Sequence, residues 1–135
     1  LLALLISMIV ISCATTGKLR TQNKLNLIKV NAGMSKEEVL EITKGISKTT
    51  NEFGELYNNP FNKDLITLKN GDIVEVLWFY TDKISSDGKI NMNELTPVVF
   101  ENNRVVSIGW KTYEDYCDLK GMQAESSRGL PSIKK

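Results

Sequence analysis

The sequence contains no histidine and only two cysteines, Cys13 and Cys117. The missing imidazole excludes Ser-His-Asp and Cys-His nucleophilic machinery, histidine-ligated zinc and the usual general base near neutral pH. The formal net charge is only +1, from 17 basic and 16 acidic residues that are interspersed along the chain. The sequence therefore lacks the clustered basic charge that binds nucleic acid. We predict a protein that is not an enzyme, holds no cofactor or metal and binds no nucleic acid.

A short apolar run opens the sequence, and a cysteine follows it directly. Residues 1–11 read LLALLISMIVI, which is shorter than the about 20 apolar residues that a membrane-spanning helix needs. The run is typical of the apolar region of a secretory signal peptide. Its end, Val10-Ile11-Ser12-Cys13, resembles the lipobox of bacterial lipoproteins, in which the cysteine receives a diacylglyceryl group and a peptidase cuts before it. We therefore predict a lipid on Cys13 rather than a buried helix or an ordinary cleaved signal.

The predicted organisation of the chain follows from this cleavage. A folded domain of this length can bury a core without a disulfide or a metal. A thioether on Cys13 also excludes a disulfide with Cys117, which is otherwise the simplest expectation for an exported chain. The predicted segments are a signal peptide (1–12), a flexible polar tether (13–24), one folded domain (25–112) and a C-terminal tail (113–135) with a possible turn between 113 and 119.

A capping box marks the clearest predicted helix. Ser35 is followed three residues later by Glu38, so that each side chain can satisfy a backbone N–H of the other residue. Met34 and Val39 are placed to form a hydrophobic staple across this cap. Gly45 supplies the residue type that ends helices. A weaker amphipathic pattern just before this segment, over residues 21–30, predicts a shorter first helix.

Strands follow the two helices. Asn70-Gly71 and Asn102-Asn103 each lie between β-rich runs, and such pairs tolerate the positive φ that tight hairpin turns require. The segment 46–63 has no sustained period and is predicted to be an irregular connection, with one turn around 53–57. Together the patterns predict an α+β fold, with two N-terminal helices packed on one face of a three- to four-stranded antiparallel sheet. The predicted strands are residues 65–68, 73–81, 97–101 and 104–110.

Two segments of the chain resemble a known group of proteins. Gly33-Met34-Ser35-Lys36-Glu37-Glu38-Val39-Leu40 looks like the signature of the SmpA/OmlA (BamE-like) small lipoproteins. Residues 94–106, together with Trp110, are similar to other small lipoproteins of the same fold group. The resemblance covers residues 25–110 and implies a fold that is also seen in the β-lactamase-inhibitor protein. It further implies a non-enzymatic module that contacts or assembles other envelope proteins. An inhibitor or ligand-binding lipoprotein is the alternative, and a hydrolase that uses carboxylates is a weaker one.

The residue after the predicted lipid site helps to predict which membrane holds the protein. An aspartate there resembles a signal for retention in the inner membrane, but the chain has Ala14. We therefore predict attachment to the outer membrane, facing the periplasm, with display on the cell surface as the alternative. The predicted partners are the membrane, through the lipid on Cys13, and another envelope protein.

The loop from Asp82 to Glu94 is the most suggestive candidate for a metal site. Aligned with a calcium-binding EF-hand loop, Asp87, Gly88, Ile90 and Glu94 occupy the fifth, sixth, eighth and twelfth positions. The first and third positions, however, are Lys83 and Ser85, and an ammonium group in place of the first carboxylate opposes a dication. The favoured interpretation is a polar connection between strands, with Asp87-Gly88 as its turn.

The remaining candidates favour structural roles. Cys117 is flanked by acidic residues, which disfavour its thiolate, so it is predicted to be inert. Glu114 and Asp118 have helical spacing and are predicted to form a solvated face rather than an acid–base pair. The aromatic side chains are predicted to pack in the core, unless one sheet face lacks helical cover and presents them to a partner protein. These aromatic residues are Trp78, Phe79, Tyr80 and Trp110.

Overall fold

The computed structural model describes residues 17–50 and 56–122. The predicted signal peptide, Cys13 and the C-terminal residues 123–135 lie outside the described residues, as does most of the turn predicted around 53–57. The helices are α1 (17–27), α2 (Lys36–Ile42) and α3 (Trp110–Lys120), with a short 3₁₀ helix at Met92–Glu94. The strands are β1 (Ser47–Thr50), β2 (Leu56–Asn59), β3 (Asn62–Thr67), β4 (Ile73–Tyr80), β5 (Leu95–Glu101) and β6 (Arg104–Ile108).

Four of the strands form one antiparallel sheet in the order β3-β4-β5-β6, and β1 and β2 form a separate antiparallel pair. Both predicted hairpin turns are confirmed. Gly71 has a φ of 90° between β3 and β4, and Asn102 and Asn103 have φ values of 48° and 67° between β5 and β6. Residues with short polar side chains or no side chain suit this left-handed backbone. Each turn therefore brings two consecutive strands into register.

Helices cover both faces of the sheet, and each face has its own apolar core. On one face, α1 and α2 contribute Leu27 and Val39 to a cluster with Leu77 and Phe79. On the other face, residues of α3 pack against the alternate side chains of β4 and β5. The alternation explains why β4 is apolar on both sides, since successive side chains of a strand point to opposite faces. The predicted α+β class is confirmed, and so are the two N-terminal helices on one face.

Both ends of the predicted domain need correction. The predicted tether (13–24) overlaps α1, and Asn23 within it is buried, where its amide donates to the Tyr80 carbonyl at 2.8 Å. At the other end, the predicted tail contains most of α3, which is 11 residues long and ends at Gly121 in a left-handed conformation. The folded unit therefore extends beyond the predicted limits of 25 and 112 in both directions.

The connection between α2 and β3 is also more regular than predicted. Residues 46–63 were expected to lack structure, but Ser47–Thr50 and Leu56–Asn59 pair as β1 and β2. The side chain of Asn59 is buried and exchanges amide hydrogen bonds with Asn23 at 2.9 and 3.2 Å. Buried amide groups require hydrogen-bond partners, and the side chains of Asn23 and Asn59 serve as partners for each other. The pair thus ties the small sheet to α1.

Candidate interaction site

The first of the two segments that resemble the small lipoproteins, residues 33–40, begins by extending the sheet at the outer edge of β6. The Gly33 N–H donates to the Val105 carbonyl at 2.8 Å, and the Val105 N–H donates to the Met34 carbonyl at 2.9 Å. A further bond joins the Lys36 N–H to the Asn103 carbonyl at 3.2 Å. Gly33 has a φ of 88°, which glycine adopts without strain. The signature therefore protects a sheet edge before it starts α2.

Three charged side chains of this segment have distinct partners. Glu38 closes the predicted capping box: its carboxylate accepts from the Ser35 N–H at 2.7 Å, and this backbone bond is the main reason that its pKa is lowered. The predicted box is thereby confirmed. The Glu37 carboxylate accepts from the Asn103 amide at 2.9 Å, which also helps to lower its pKa, after a backbone hydrogen bond that has the larger effect. The Lys36 side chain instead contacts the sheet, where it pairs with Glu75.

The ion pair between Lys36 and Glu75 lies on the sheet face that α2 covers only in part. The Nζ–Oε1 distance is 2.6 Å, and both side chains are largely shielded from solvent. Shielding strengthens the attraction between the two charges but also makes it costly to leave either one unpaired. The pair therefore fixes one polar point on this partly covered face.

Two hollows lie beside this ion pair, and Lys36 lines both of them. The first has a volume of about 400 Å³ and includes Leu40, Phe61 and Leu77 in its lining. The second has a volume of about 240 Å³ and includes Leu65 and Phe100. We call these two hollows the Lys36 groove. Its position on the chain could not be read from the sequence, because its walls come from α2, the segment before β3, and strands β3 to β5.

The Lys36 groove borders an open strand edge. Among the described strands, β3 forms one edge of the four-stranded sheet and pairs only with β4. On the groove side, two aliphatic side chains stay accessible next to this edge, with Leu65 66% and Ile73 50% exposed. Lys63 and Asp64 place charges along the same strand, and charged residues often protect such edges from unspecific pairing. The surface is thus a bounded apolar patch beside backbone groups that can accept another strand.

The loop from Asp82 to Glu94, in which calcium binding was the disfavoured interpretation, is organised by its own glutamate. Glu94 is fully buried, and its Oε1 accepts from the N–H groups of Ile84 at 2.7 Å and Ser85 at 2.9 Å. Its Oε2 accepts from the Asn91 N–H at 3.0 Å. Asp87 instead accepts from the Lys89 N–H at 3.0 Å, which is the main reason that its pKa is lowered. In an EF-hand the carboxylate at the twelfth position binds the ion. Here that carboxylate, of Glu94, accepts hydrogen bonds from backbone N–H groups instead.

No group of three or more Cys, Asp or Glu residues that could hold a metal ion occurs within residues 17–50 and 56–122. Cys117 lies on the side of α3 that is buried in the core. Its neighbour Tyr116 donates a hydrogen bond from its hydroxyl to the Glu101 carboxylate. Burial, followed by this hydrogen bond, raises the pKa of Tyr116 well above its usual range. Lys120 forms an ion pair with the same carboxylate at 3.0 Å. These contacts fasten α3 to the end of β5.

The predicted core role of the aromatic residues is confirmed. Trp78, Phe79 and Tyr80 are all buried, and Trp78 contacts Tyr113 of α3 edge-on with ring centroids 5.2 Å apart. Because helices cover both faces above β4, the alternative of an exposed aromatic patch on a bare sheet face is wrong. Trp110 is partly buried and donates from its indole N–H to the Leu95 carbonyl at 2.7 Å.

Glu114 and Asp118 of α3 do not occupy equivalent environments. Asp118 is exposed, as the predicted solvated face requires, whereas Glu114 is half-buried. Cys13, the predicted lipid site, lies outside the described residues, so the lipid attachment stays a prediction. No described helix is long and apolar enough to cross a membrane.

A family model for a protein of unknown function, DUF3192, matches residues 15–115. The chain belongs to this family. The shared region of the DUF3192 family contains α1, α2, all six strands and the first half of α3, so it includes the whole of the Lys36 groove. No curated protein and no solved structure matches the chain. The likeness to the SmpA/OmlA (BamE-like) lipoproteins therefore remains a resemblance of short segments.

Proposed function

We propose that this DUF3192 protein is a lipid-anchored envelope lipoprotein whose domain binds a segment of another envelope protein in the Lys36 groove. The proposed anchor is an acylated Cys13 in the outer membrane, and the domain faces the periplasm. The observation that carries the proposed binding is the apolar groove directly beside the open edge of β3. The resemblance of Val10-Ile11-Ser12-Cys13 to the lipobox, directly after an apolar run, supports the anchor, and the family match begins at residue 15, two residues after the predicted lipid site.

The form of the groove favours an extended segment as the bound element. A strand added to β3 would gain main-chain hydrogen bonds, and every second side chain of that strand would face the groove. Leu65 and Ile73 would then pack against apolar side chains of the partner. The Lys36–Glu75 ion pair would select a polar side chain at one position. Binding of this kind requires no catalytic group, which agrees with the absence of histidine from the sequence.

Site-specific photo-crosslinking in intact cells tests this proposal. A photoreactive amino acid at Leu65 should give one discrete crosslinked envelope protein, since this side chain would be buried by the bound segment. Ile73→Glu in the same chain should lower the crosslinked fraction about tenfold, because losing the burial of an aliphatic side chain costs roughly 1.5 kcal/mol or more. Gel shift and mass spectrometry of the adduct provide the measurement.

Leu119 supplies the matched control position, because it is 80% exposed and lies on α3, at the opposite face of the sheet. A photoreactive residue there should not capture the same protein. Capture of the same protein from both positions, or of none from Leu65, would contradict binding in the Lys36 groove.

A further inference from the structure

The charges of the chain are not evenly distributed at its N-terminal end. The first acidic residue is Glu37, so all 16 acidic residues follow residue 36. Before it come five basic residues, of which four lie within or next to α1: Lys18, Arg20, Lys24 and Lys29. The even mixture of charges predicted from the whole chain therefore does not hold for α1.

One side of α1 faces the core, and the other side combines this basic character with accessible apolar groups. Leu27 is buried against the sheet, whereas Leu25 is 52% exposed and Ile28, just after the helix, is 78% exposed. Lys18 shares the outward side with Leu25, because the two residues are about two helical turns apart, and Lys29 is exposed next to Ile28 just after the helix. Neither lysine forms an ion pair with any residue in the described part of the chain. We call this outward side the α1 stripe.

The distance along the chain to the proposed lipid is short. Only residues 14–16 separate Cys13 from the first described residue of α1. Four Cα–Cα steps span at most about 14 Å, so an acylated Cys13 would hold the start of α1 close to the lipid headgroups. The predicted tether of 12 residues (13–24) would have allowed the domain to move far from the membrane. The folded α1 removes that freedom.

We propose that the α1 stripe lies on the surface of the membrane, with Leu25 and Ile28 inserted among anionic phospholipid headgroups and Lys18 and Lys29 beside their phosphates. The inference rests on the proposed lipid anchor at Cys13. An upright α1 would leave the exposed side chains of Leu25 and Ile28 in water, whereas a helix that lies flat buries both. Amphipathic helices with basic residues beside an apolar strip bind anionic membranes in this orientation. Burial of the apolar side chains and attraction between the lysines and the phosphates then strengthen the membrane attachment that the lipid provides. The domain thereby acquires a fixed orientation.

The fixed orientation deepens the proposed function. The α1 stripe would face the membrane. The edge of β3 is the opposite edge of the sheet from β6, which segment 33–36 extends. A partner segment would therefore reach the Lys36 groove from a constant direction relative to the bilayer.

Depth-dependent fluorescence quenching tests the proposal on the intact lipoprotein. The protein is purified from membranes with its native anchor and reconstituted into vesicles of phosphatidylethanolamine and phosphatidylglycerol with brominated acyl chains. An environment-sensitive fluorophore is attached through Leu25→Cys, and the same fluorophore through Leu119→Cys is the control. Cys117 is buried and so does not compete for the label. The label at position 25 should be quenched at least about twofold, because interfacial helices bury their apolar face ~5–10 Å deep, and the control label should not be quenched.

Charge reversal gives a second readout. Lys18→Glu combined with Lys29→Glu should lower the quenching at position 25 to the value of the control label. Lys69→Glu combined with Lys111→Glu alters the net charge equally at exposed positions elsewhere and should leave the quenching unchanged.

Two negative results have different meanings. If the protein floats with the vesicles but the label at position 25 stays in water, the anchor stands and the membrane-bound α1 stripe is overturned. The membrane-bound α1 stripe is likewise overturned if the label is shielded by an added extract of envelope proteins but not by the vesicles. If the protein does not float with the vesicles and Cys13 carries no lipid, both the anchor and the proposal that rests on it are overturned.

Discussion

Val39→Asp is expected to lower the free energy of unfolding by more than about 3 kcal/mol, because burying an unpaired carboxylate costs several kcal/mol. Val39 is fully buried where α2 meets the sheet, and its cluster includes Leu77 and Phe79. The larger part of the loss would be the desolvation of the charge, and the smaller part would be the lost apolar contact. Denaturant and thermal unfolding of the purified protein measure the effect.

Two variants separate this effect from general sensitivity to substitution. Leu119→Asp makes the same kind of change at a helical position that is 80% exposed, and it should leave the melting temperature almost unchanged. Ser35→Ala removes only the helix cap and should cost about 0.5–2 kcal/mol. Equal melting of the wild type and Val39→Asp would mean that α2 does not pack on the sheet.

Glu94→Ala is expected to destabilise the protein by about 3 kcal/mol or more, because hydrogen bonds to charged groups contribute about 1.5–3 kcal/mol each. The substitution removes the acceptor of three backbone N–H groups, those of Ile84, Ser85 and Asn91. No water can reach the fully buried position of the carboxylate without local opening of the loop. The free energy of unfolding from denaturant titrations is the measurement.

The conservative variant and a neighbouring acid make this prediction specific. Glu94→Gln keeps one acceptor oxygen and should give an intermediate loss. Asp87→Asn changes an exposed carboxylate in the same loop and should have little effect on unfolding. If Glu94→Ala unfolds like Asp87→Asn, the buried carboxylate does not hold the loop together.

Local signals in the sequence were sufficient for the elements that depend on local chemistry. The capping box of Ser35 and Glu38 requires only residues within one helical turn, and the structure shows both of its hydrogen bonds. The two hairpins likewise depend on residues in the turns themselves, at Gly71 and Asn102-Asn103. Because these patterns are short-range, the pairing of β3 with β4 and of β5 with β6 could be predicted, whereas the pairing of β4 with β5 across the long loop was not.

The elements that were missed bury polar residues or have weak apolar patterns. The inward side of α1 includes the buried side chains of Asn23 and Asn26, so a search for apolar periodicity starts this helix too late. For α3 the signal was present, because Tyr113 and Tyr116 recur at helical spacing and Gly121 supplies the stop. The polar composition of the following residues led to the prediction of an unstructured tail.

The candidate site could not be predicted from the sequence. The signature that contains Lys36 indicated a helix cap and a family resemblance, whereas the partner of Lys36 is Glu75, almost 40 residues later on β4. Glu94 was considered only as the twelfth position of a calcium loop, an interpretation that was not favoured, since the sequence cannot show that three backbone donors converge on its carboxylate. The first outcome depends on a contact between distant parts of the chain and the second on the folding of one irregular loop, and residue spacing alone specifies neither.

The mass of the N-terminal tryptic peptide tests the lipid anchor most directly. Protein extracted from the membrane fraction should yield a peptide of residues 13–18, CATTGK, that begins at Cys13 and carries a diacylglyceryl group on its sulfur and an acyl chain on its amine. Delipidation by alkaline hydrolysis should remove the ester-linked chains and shift the mass accordingly. An unmodified Cys13, or a peptide that still contains Ser12 joined to it, would contradict a lipid-anchored envelope protein.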